Sequence, residues 1–391
     1  MNKKKTRKPK GLEAFFVDLA ECKCNMTIHL YLKLDKRPSR TLLNSTMRRM
    51  LCIHPDVNLK YKRKKWYPSD YVPECQIVEV DGDEVYSPYP VKMDYRKNTI
   101  ALNIIHATKN DEWHLCFDFF HGAYDGLSGV QFVYDFFALL NGKELGEIES
   151  TLNCCQIVEP ETKKHKLKPA FTIWPKCSLK FGKVTKNFGE KSTVFRTEAC
   201  VRSVAAKLSN TIGDMFSDSS AKMIVPVDVR RYSDIDKAMF GNLFVPVFLE
   251  AKSTRTLDDL RGEIKSFVEN KNELMSIARK LKIYSRFPSW IRRAVIRFFK
   301  PIVLSHKKFI YCALVSSFGK IDSEKLKCAH FNTTDFVVTG GTFPFTALTA
   351  VSVQFEGHTN TIITWDKGRM IEESANTLVE KIKCEVYKEK Q

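Results

Sequence analysis

The sequence predicts an α/β protein with two domains. Its 391 residues suffice for two domains of ordinary size and a large buried core. Short strands alternate with helices over the first part of the chain, and regular structure resumes near Val194 after a stretch rich in lysine, proline and glycine. We therefore assign a frayed basic tail to residues 1–10, an N-terminal domain to 11–155, a linker to 156–192 and a C-terminal domain to 193–391.

In the N-terminal domain, alternating apolar residues predict strands and a 3.6-residue apolar spacing predicts helices. The predicted strands are Met26–Leu34, Thr99–His106 and Trp113–Phe120, and the last two are expected to pair. The predicted helices are Ser39–Met50 and Ser128–Leu140, the second of which ends at an Asn-Gly stop.

The same criteria predict further strands and longer helices in the C-terminal domain. The strands are Met223–Val229, Asn242–Phe248, Ile310–Ser316, Phe336–Thr339, Ala347–Gln354 and Asn360–Trp365. A hairpin turn at 356–359 joins the last two. One helix begins with a capping box of Thr256 and Asp259 and is expected to run to about Lys282, and Met370–Tyr387 is an amphipathic helix.

The composition indicates a globular protein with an excess of positive charge. Apolar residues make up 43% of the chain, and the 27 phenylalanines suggest either thick aromatic cores or an apolar tunnel. The formal charge of +18 favours an anionic partner, such as nucleic acid, membrane headgroups or a phosphorylated small molecule or carrier, or is only a solubility feature.

The cysteines and the N-terminus indicate a reduced cytoplasmic protein. The 12 cysteines show neither a disulfide framework nor zinc-site spacing, and the histidines show no metal-ligand spacing, so we expect no metal. Acidic residues follow the basic start where a signal peptide needs an apolar region, and no apolar run reaches the length of a spanning helix.

The main candidate for chemistry is His121, in the segment Phe-His-Gly-Ala-Tyr-Asp-Gly at 120–126. It lies where an apolar strand ends, so its ring can project into a cavity and remove a proton from a hydroxyl or an amine. Asp125 can orient the ring or form an ion pair elsewhere, and Gly126 allows a sharp turn. The pattern alone is weak, because a lone histidine at a strand end is more often a bystander.

Three segments, in order along the chain, resemble motifs of the condensation-domain superfamily, which has the chloramphenicol acetyltransferase fold. Residues 116–132, which contain His121-Gly-Ala-Tyr-Asp-Gly126, resemble its His-His-x-x-x-Asp-Gly signature. Ile-Val-Pro-Val-Asp-Val-Arg at 224–230, with Phe-Gly-Asn at 240–242, resembles a second motif, and Val-Ser-Ser-Phe-Gly-Lys-Ile at 315–321 resembles a third. The similarity spans nearly the whole chain and is greatest to the alcohol acetyltransferase-like proteins of bacteria, in which an aromatic residue often occupies the position of Trp66.

The resemblance implies two acetyltransferase-like domains, each a mixed sheet flanked by helices, that face each other across a central channel. It implies that His121 is the general base on an acceptor hydroxyl or amine, which attacks an acyl thioester through a tetrahedral oxyanion. Asp125 would turn away from the ring and form a bidentate pair with Arg230, and Gly126 would keep the channel open. The remaining channel or oxyanion candidates are Ser316 and Asn242. No cofactor is expected to be bound; acyl-coenzyme A or a phosphopantetheine thioester is the co-substrate.

The chain departs from the family pattern at several points. Phe120 replaces the first histidine of the signature, and Ser317 stands where asparagine is usual. The region 203–221 has room for only a short helix, and Arg231 leaves open which arginine meets Asp125. These departures fit an unusual substrate, or a member that binds without turnover.

Residues 279–308 carry many lysines and arginines, and no acid lies between Glu273 and Asp322. In the predicted helix Trp290–Lys300, which Pro301 is expected to end, apolar and basic residues occupy opposite faces. We favour an amphipathic helix that packs on a sheet with its charges in water. A membrane-surface helix and a basic channel mouth that attracts phosphates are the alternatives.

Three hypotheses follow. The first is a monomeric acyltransferase that takes its thioester donor from coenzyme A or an acyl carrier protein and its acceptor from small alcohols or amines. The second is a degenerate family member that binds a carrier protein or ligand. The third is a basic nucleic-acid or membrane-associating protein; no nucleic-acid motif supports nucleic-acid binding, and peripheral membrane contact would involve 279–308.

Overall fold

A computed structural model describes residues 6–82, 85–86, 93–150, 152–158, 189–216, 221–235, 237–251, 255–269, 271–305, 309–343 and 345–386. Within these ranges the chain forms two large mixed sheets with helices packed against them. Most of the predicted linker, residues 159–188, lies outside the described residues.

Helices and strands alternate along the described chain. The helices are α1 Leu12–Glu21, α2 Arg40–Ile53, α3 Gly126–Leu140, α4 Cys154–Ile157, α5 Val204–Gly213, α6 Leu257–Glu269, α7 Lys271–Arg286, α8 Ser289–Ser305 and α9 Glu372–Val386. The strands are β1 Thr27–Leu34, β2 Leu59–Lys62, β3 Lys65–Pro68, β4 Gln76–Val80, β5 Ile100–Ala107, β6 Glu112–Phe120, β7 Ile148–Glu149, β8 Glu190–Thr197, β9 Ala221–Asp228, β10 Ala238–Met239, β11 Phe244–Ala251, β12 Tyr311–Lys320, β13 Thr333–Gly340, β14 Thr346–Phe355 and β15 His358–Asp366.

The first sheet has the strand order β13-β1-β6-β5-β4. β1 is antiparallel to both β13 and β6, and β4 is parallel to β5. The alternation in β6 puts Leu115, Phe117 and Phe119 on one face, and the opposite face of that strand is buried as well. The end of β6, where His121 follows, is therefore held inside the protein.

The second sheet has the order β11-β9-β12-β14-β15-β8. β12 is parallel to β9 and β14, and the other pairs are antiparallel. The β14–β15 hairpin turns through Glu356 and Gly357, which both have positive φ. Two-residue turns of this kind match the right-handed twist of the flanking strands.

One strand of the second half completes the first sheet. β13 pairs with β1, with Leu30 opposite Val338, before the chain returns to the second sheet as β14. A division of the sequence at 155 and 193 therefore does not describe which strands share a sheet. The crossing segment after β13 runs past the space between the two sheets, and this is where the cavity described below lies.

The predicted helices and strands occur close to their expected positions, with two differences in the C-terminal half. The helix expected from Thr256 to about Lys282 is two helices, α6 and α7, although its capping box is present: Thr256 N donates to Asp259 Oδ2 at 2.8 Å. α8 runs past Pro301 to Ser305, because a helix-interior proline removes one backbone hydrogen bond without necessarily ending the helix.

The basic N-terminal segment is not frayed where the structure describes it. Arg7 exchanges backbone hydrogen bonds with Trp66, at 3.2 and 2.8 Å, and its guanidinium lies 2.6 Å from the fully buried carboxylate of Glu13. The physical reason is that the buried carboxylate of Glu13 needs a positive partner: burial raises the pKa of this carboxyl group, and the charge and hydrogen bond of Arg7 oppose that rise.

Candidate active site

A cavity of about 160 Å³ lies between the two sheets, beside His121. Strand ends from both sheets surround it, and the crossing segment after β13 adds Gly340, Gly341 and Phe343. Other residues of the lining come from α1, the start of α3 and strands β1, β9, β11, β12, β13 and β14. The cavity is thus formed jointly by the two halves of the chain.

The His121 ring is fixed in one tautomer. Its Nδ1 lies 2.9 Å from the carbonyl oxygen of Tyr124. Because a carbonyl oxygen only accepts, Nδ1 carries the proton and Nε2 keeps a free lone pair. Burial lowers the pKa of His121, with the contact to the Tyr124 carbonyl and the charge of Asp125 opposing this shift. The ring is therefore neutral at pH 7, as a general base requires.

Aromatic side chains hold the plane of this ring. Phe16 of α1 stacks on it, with the ring centroids 4.1 Å apart and an angle of 19° between the planes. Phe244 lies 5.8 Å away. The backbone is fixed too, since His121 N donates to Met26 O at 2.8 Å. The imidazole therefore cannot turn without displacing its neighbours.

Asp125 does not contact the imidazole but caps α3 and binds the second half of the chain. Its Oδ1 accepts from Ser128 N and from Arg230 Nη2, both at 2.8 Å, and its Oδ2 accepts from Leu243 N at 2.7 Å. Burial would raise the pKa of Asp125, but Arg230 and these donors hold it below its usual range.

Arg230 bridges two carboxylates and does not form a bidentate pair. Its Nη2 binds Asp125 and its Nη1 binds Asp228, each at 2.8 Å. Nη2 also donates to Ser128 Oγ at 2.8 Å, and that hydroxyl is within 3.0 Å of both backbone polar atoms of Gly241. The neighbouring Arg231 is exposed, so Arg230 is the arginine that meets Asp125.

The two channel or oxyanion candidates have different positions. Ser316 lines the cavity. The side chain of Asn242 is fully buried behind the histidine, where Nδ2 donates to His121 O at 2.5 Å. Asn242 therefore fixes the backbone of the base and is not part of the cavity wall.

The space over Gly126 is filled by Phe318. A Cβ atom at Gly126 would lie 2.2 Å from Phe318 Cζ, and both residues line the cavity. The expected open channel at this glycine is thus occupied by an aromatic ring in this conformation. A ligand that used this space would have to displace Phe318.

Sequence reasoning missed the contribution of α1. The signal was present, because Leu12, Phe16 and Leu19 have helical spacing and all are buried. It also missed the Tyr124 carbonyl as the group that fixes the tautomer, since a backbone atom leaves no sequence pattern.

A second polar group is buried in the first sheet. His29 Nδ1 lies 2.7 Å from Asp118 Oδ1, Cys116 Sγ lies 3.2 Å from the same oxygen, and Asn103 Nδ2 donates to Oδ2 at 2.9 Å. Sequence spacing hid this set because its members meet through strand pairing, with His29 directly opposite Asp118. These contacts to Asp118 form a hydrogen-bonded network within the sheet.

No family model and no curated protein matches the sequence. Solved structures do match over nearly the full length. The condensation domain of the monacolin K polyketide synthase MokA is 10% identical, with a TM-score of 0.60, and the match covers 96% of this chain and 95% of that one. Polyketide synthase associated protein 5 from Mycobacterium tuberculosis is 10% identical, with a TM-score of 0.62 and coverage of 97% and 96%.

Vinorine synthase is 13% identical, with a TM-score of 0.61, and the match covers 99% of this chain and 95% of that one. The chain has the chloramphenicol acetyltransferase-like fold. The predicted resemblance to condensation-domain and acyltransferase structures is confirmed at the level of the fold. None of the described helices is both long and apolar enough to cross a bilayer.

Proposed function

We propose that the protein is an acyltransferase that moves an acyl group from a thioester to an alcohol or amine, with His121 as general base. The observation that carries this proposal is the tautomer of His121: Nδ1 is bound to the Tyr124 carbonyl, and none of the described residues hydrogen-bonds Nε2. A neutral imidazole of fixed orientation, at the wall of a cavity between two sheets, has the properties of a general base.

The proposed reaction needs no covalent enzyme intermediate. The acceptor hydroxyl or amine gives its proton to His121 Nε2 as its oxygen or nitrogen attacks the thioester carbonyl carbon. The tetrahedral oxyanion then collapses, the carbon–sulfur bond breaks, and the thiolate takes the proton back from Nε2. Ser316, which lines the cavity, is the candidate donor to the oxyanion.

The donor in this proposal is acyl-coenzyme A or a phosphopantetheine thioester on a carrier protein. Both end in the same thioester arm, and the structural neighbours include a condensation domain of a polyketide synthase and an epimerization domain of tyrocidine synthetase B. The described residues of the basic segment 279–308 do not contribute to the cavity lining, so this segment is not assigned as the mouth of the donor channel.

The test is release of free thiol from acyl-coenzyme A in the presence of a panel of alcohols and amines. We expect His121→Ala to lower kcat by about 100-fold or more, because general-base catalysis contributes that much. His330→Ala is the matched control, since His330 is exposed and outside the cavity. An unchanged rate in His121→Ala with any active acceptor would refute the mechanism.

One observation favours a second candidate function, a binding protein without turnover. The cavity of about 160 Å³ is smaller than the roughly 300–1,000 Å³ of most ligand sites, and Phe16 and Phe318 occupy space beside His121 and Gly126. A binder would take up an acyl-pantetheine in calorimetry and release no thiol with any acceptor. Release of thiol by the wild-type chain with any acceptor would exclude this second candidate function.

A further inference from the structure

The helix α8 is oriented differently from the sequence expectation, although Arg297 is exposed as predicted and Ile291 is half-buried. Its basic residues Arg292 and Arg293 face inward, onto α1: Arg292 Nε lies 2.5 Å from Asp18 Oδ2, and Arg293 Nη1 lies 3.2 Å from Glu21 Oε2. Ile296 is the fully buried apolar residue of the same face. The predicted packing of the apolar face on a sheet is therefore wrong for this helix, because two ion pairs direct the arginines inward.

Further contacts hold this orientation. Tyr284 of α7 donates its hydroxyl to Asp18 Oδ2 at 3.0 Å, and the Arg292 guanidinium lies 5.3 Å from the centre of the Tyr284 ring. Arg292 Nη1 also donates to the carbonyl oxygens of Ser285 and Phe287, at 3.1 and 2.7 Å. The turn between α7 and α8 is thus fastened to α1 and is not free to rotate.

The consequence is an apolar surface that faces solvent. Large exposed apolar side chains are rare in the described residues, and most of them lie in this helix pair: Ile283 at 39%, Phe287 at 52%, Trp290 at 66%, Val295 at 48% and Phe298 at 64%. We call these five residues the α7–α8 patch. Such exposure of neighbouring aromatic and aliphatic side chains indicates an interaction surface.

The charge beside the patch is positive. Arg286 and Arg297 are exposed next to Phe287 and Phe298, and the sequence has no acid between Glu273 and Asp322. Helices that lie in the headgroup region of anionic bilayers have this composition: aromatic and aliphatic side chains beside arginine, without carboxylates. Trp290 and Phe298 protrude, since about two thirds of each side chain is exposed.

We propose that the α7–α8 patch docks the protein on an anionic lipid bilayer. The apolar rings would enter the boundary between headgroups and acyl chains, and the arginines would contact lipid phosphates. The complementarity of sign and the protruding rings favour a bilayer over a protein partner, which would need a recessed surface to receive them.

The docked bilayer would lie one helix from the cavity. Phe15 of α1 contacts both Tyr284 of α7 and the cavity residue Phe343, at ring distances of 5.6 and 5.9 Å. The patch residues themselves do not line the cavity. Docking can therefore be removed by substitution without a change in the groups beside His121, so this proposal and the proposed function can fail independently.

The test is sedimentation of the full chain with vesicles at about 0.15 M salt. We expect binding to vesicles of equal parts phosphatidylglycerol and phosphatidylcholine, and little to pure phosphatidylcholine. The variant Trp290→Ala/Phe298→Ala should bind at least about tenfold more weakly, because it loses the two aromatic side chains that would be buried in the bilayer. Tyr71→Ala/Ile77→Ala, which removes exposed apolar residues elsewhere, is the matched control and should bind as the wild type does.

Two further variants separate the contributions. Arg286→Gln/Arg297→Gln should weaken binding to the anionic vesicles about tenfold and leave binding to neutral ones unchanged. Brominated lipids should quench the fluorescence of the wild type more than that of Trp290→Phe. Thiol release with a soluble acceptor should be unchanged in all patch variants.

Three outcomes would overturn the proposal. One is no binding to anionic vesicles, and another is equal binding by the wild type and Trp290→Ala/Phe298→Ala. The third is that the patch mediates a protein contact instead, seen as a dimer or an acidic-protein complex that Phe298→Ala dissociates while vesicle binding is absent.

Discussion

Replacing Arg230 with methionine tests how the site is held together. The change removes the positive partner of Asp125, a carboxylate whose side chain is 6% exposed, and leaves it only its two backbone donors. Breaking a buried ion pair from one side costs about 3–5 kcal/mol. The Arg230 side chain is 17% exposed, so water already weakens the pair and we expect the lower value, about 3 kcal/mol of unfolding free energy.

The pH dependence of this loss follows from the pKa of Asp125. In the native protein this pKa lies below its unfolded value, so the group contributes stability above about pH 4 that is lost as the pH falls through the native pKa. Without Arg230, burial is no longer offset and the pKa of Asp125 rises. The difference between wild type and Arg230→Met should therefore be greatest at neutral pH and shrink toward pH 4.

The assay is urea unfolding at several pH values, with the neighbouring Arg231→Met as matched control. Because Arg231 is exposed, its variant should differ from the wild type by less than about 0.5 kcal/mol. Adding Asp125→Asn to Arg230→Met should cost less than the sum of the two single changes, by about 2 kcal/mol. If Arg230→Met were no less stable than Arg231→Met, the ion pair would not support the site as argued.

Three more predictions follow from contacts in and beside the cavity. Gly126→Ala should lower kcat/KM about tenfold or more, because its Cβ would collide with Phe318 at 2.2 Å, and adding Phe318→Ala should restore most of the rate; no rescue would mean that the glycine acts by another route. A plot of kcat/KM against pH should be flat near pH 7 and fall on the acid side with a midpoint below the usual histidine value of about 6.5, since burial lowers the pKa of His121; a midpoint above this value would exclude the assigned neutral base. Arg292→Met should lower the unfolding free energy by about 3 kcal/mol in urea titrations, because the buried Asp18 loses its ion pair; a loss below about 0.5 kcal/mol would show that other contacts hold α8 in place.

Local pattern was enough to predict most of the fold. The alternation in 113–120 predicts β6, and the apolar periodicity of 128–140 predicts α3, because both depend on neighbours along the chain. The strand that crosses from the second half into the first sheet could not be predicted this way. β13 reads as an ordinary strand, and its partner β1 lies roughly 300 residues earlier in the sequence.

The candidate site, like the fold, has features that follow from local sequence and features that depend on tertiary packing. The position of His121 at a strand end follows from the sequence, whereas its tautomer depends on the Tyr124 carbonyl and its orientation on Phe16. The pairing of Asp125 with Arg230 was expected from resemblance, but the bridge to Asp228 was not. A sequence states which side chains are available; which of several carboxylates an arginine meets is decided by tertiary packing.

The orientation of α8 shows the limit of a hydrophobic pattern. The predicted basic face is split, since Arg293 meets α1 whereas Arg297 is exposed beside Phe298. The inference that the apolar face must be the buried one assumed that nothing on the partner helix prefers arginine. α1 presents Asp18 and Glu21 on the side that meets α8, and a buried carboxylate gains more from an arginine than from an apolar side chain.

The same helix contributes to both proposals. α1 stacks Phe16 on the His121 ring and holds Arg292 with Asp18 two residues later. A shift of α1 would therefore move both the ring stacked on His121 and the helix that carries the α7–α8 patch, because α1 contacts each of them. If docking on a bilayer displaced α8, the first catalytic contact to respond would be the stack of Phe16 on His121, and activity toward a soluble acceptor would then depend on the presence of anionic vesicles. Equal rates with and without vesicles, in a protein that binds them, would show that α1 is rigid enough to separate the two.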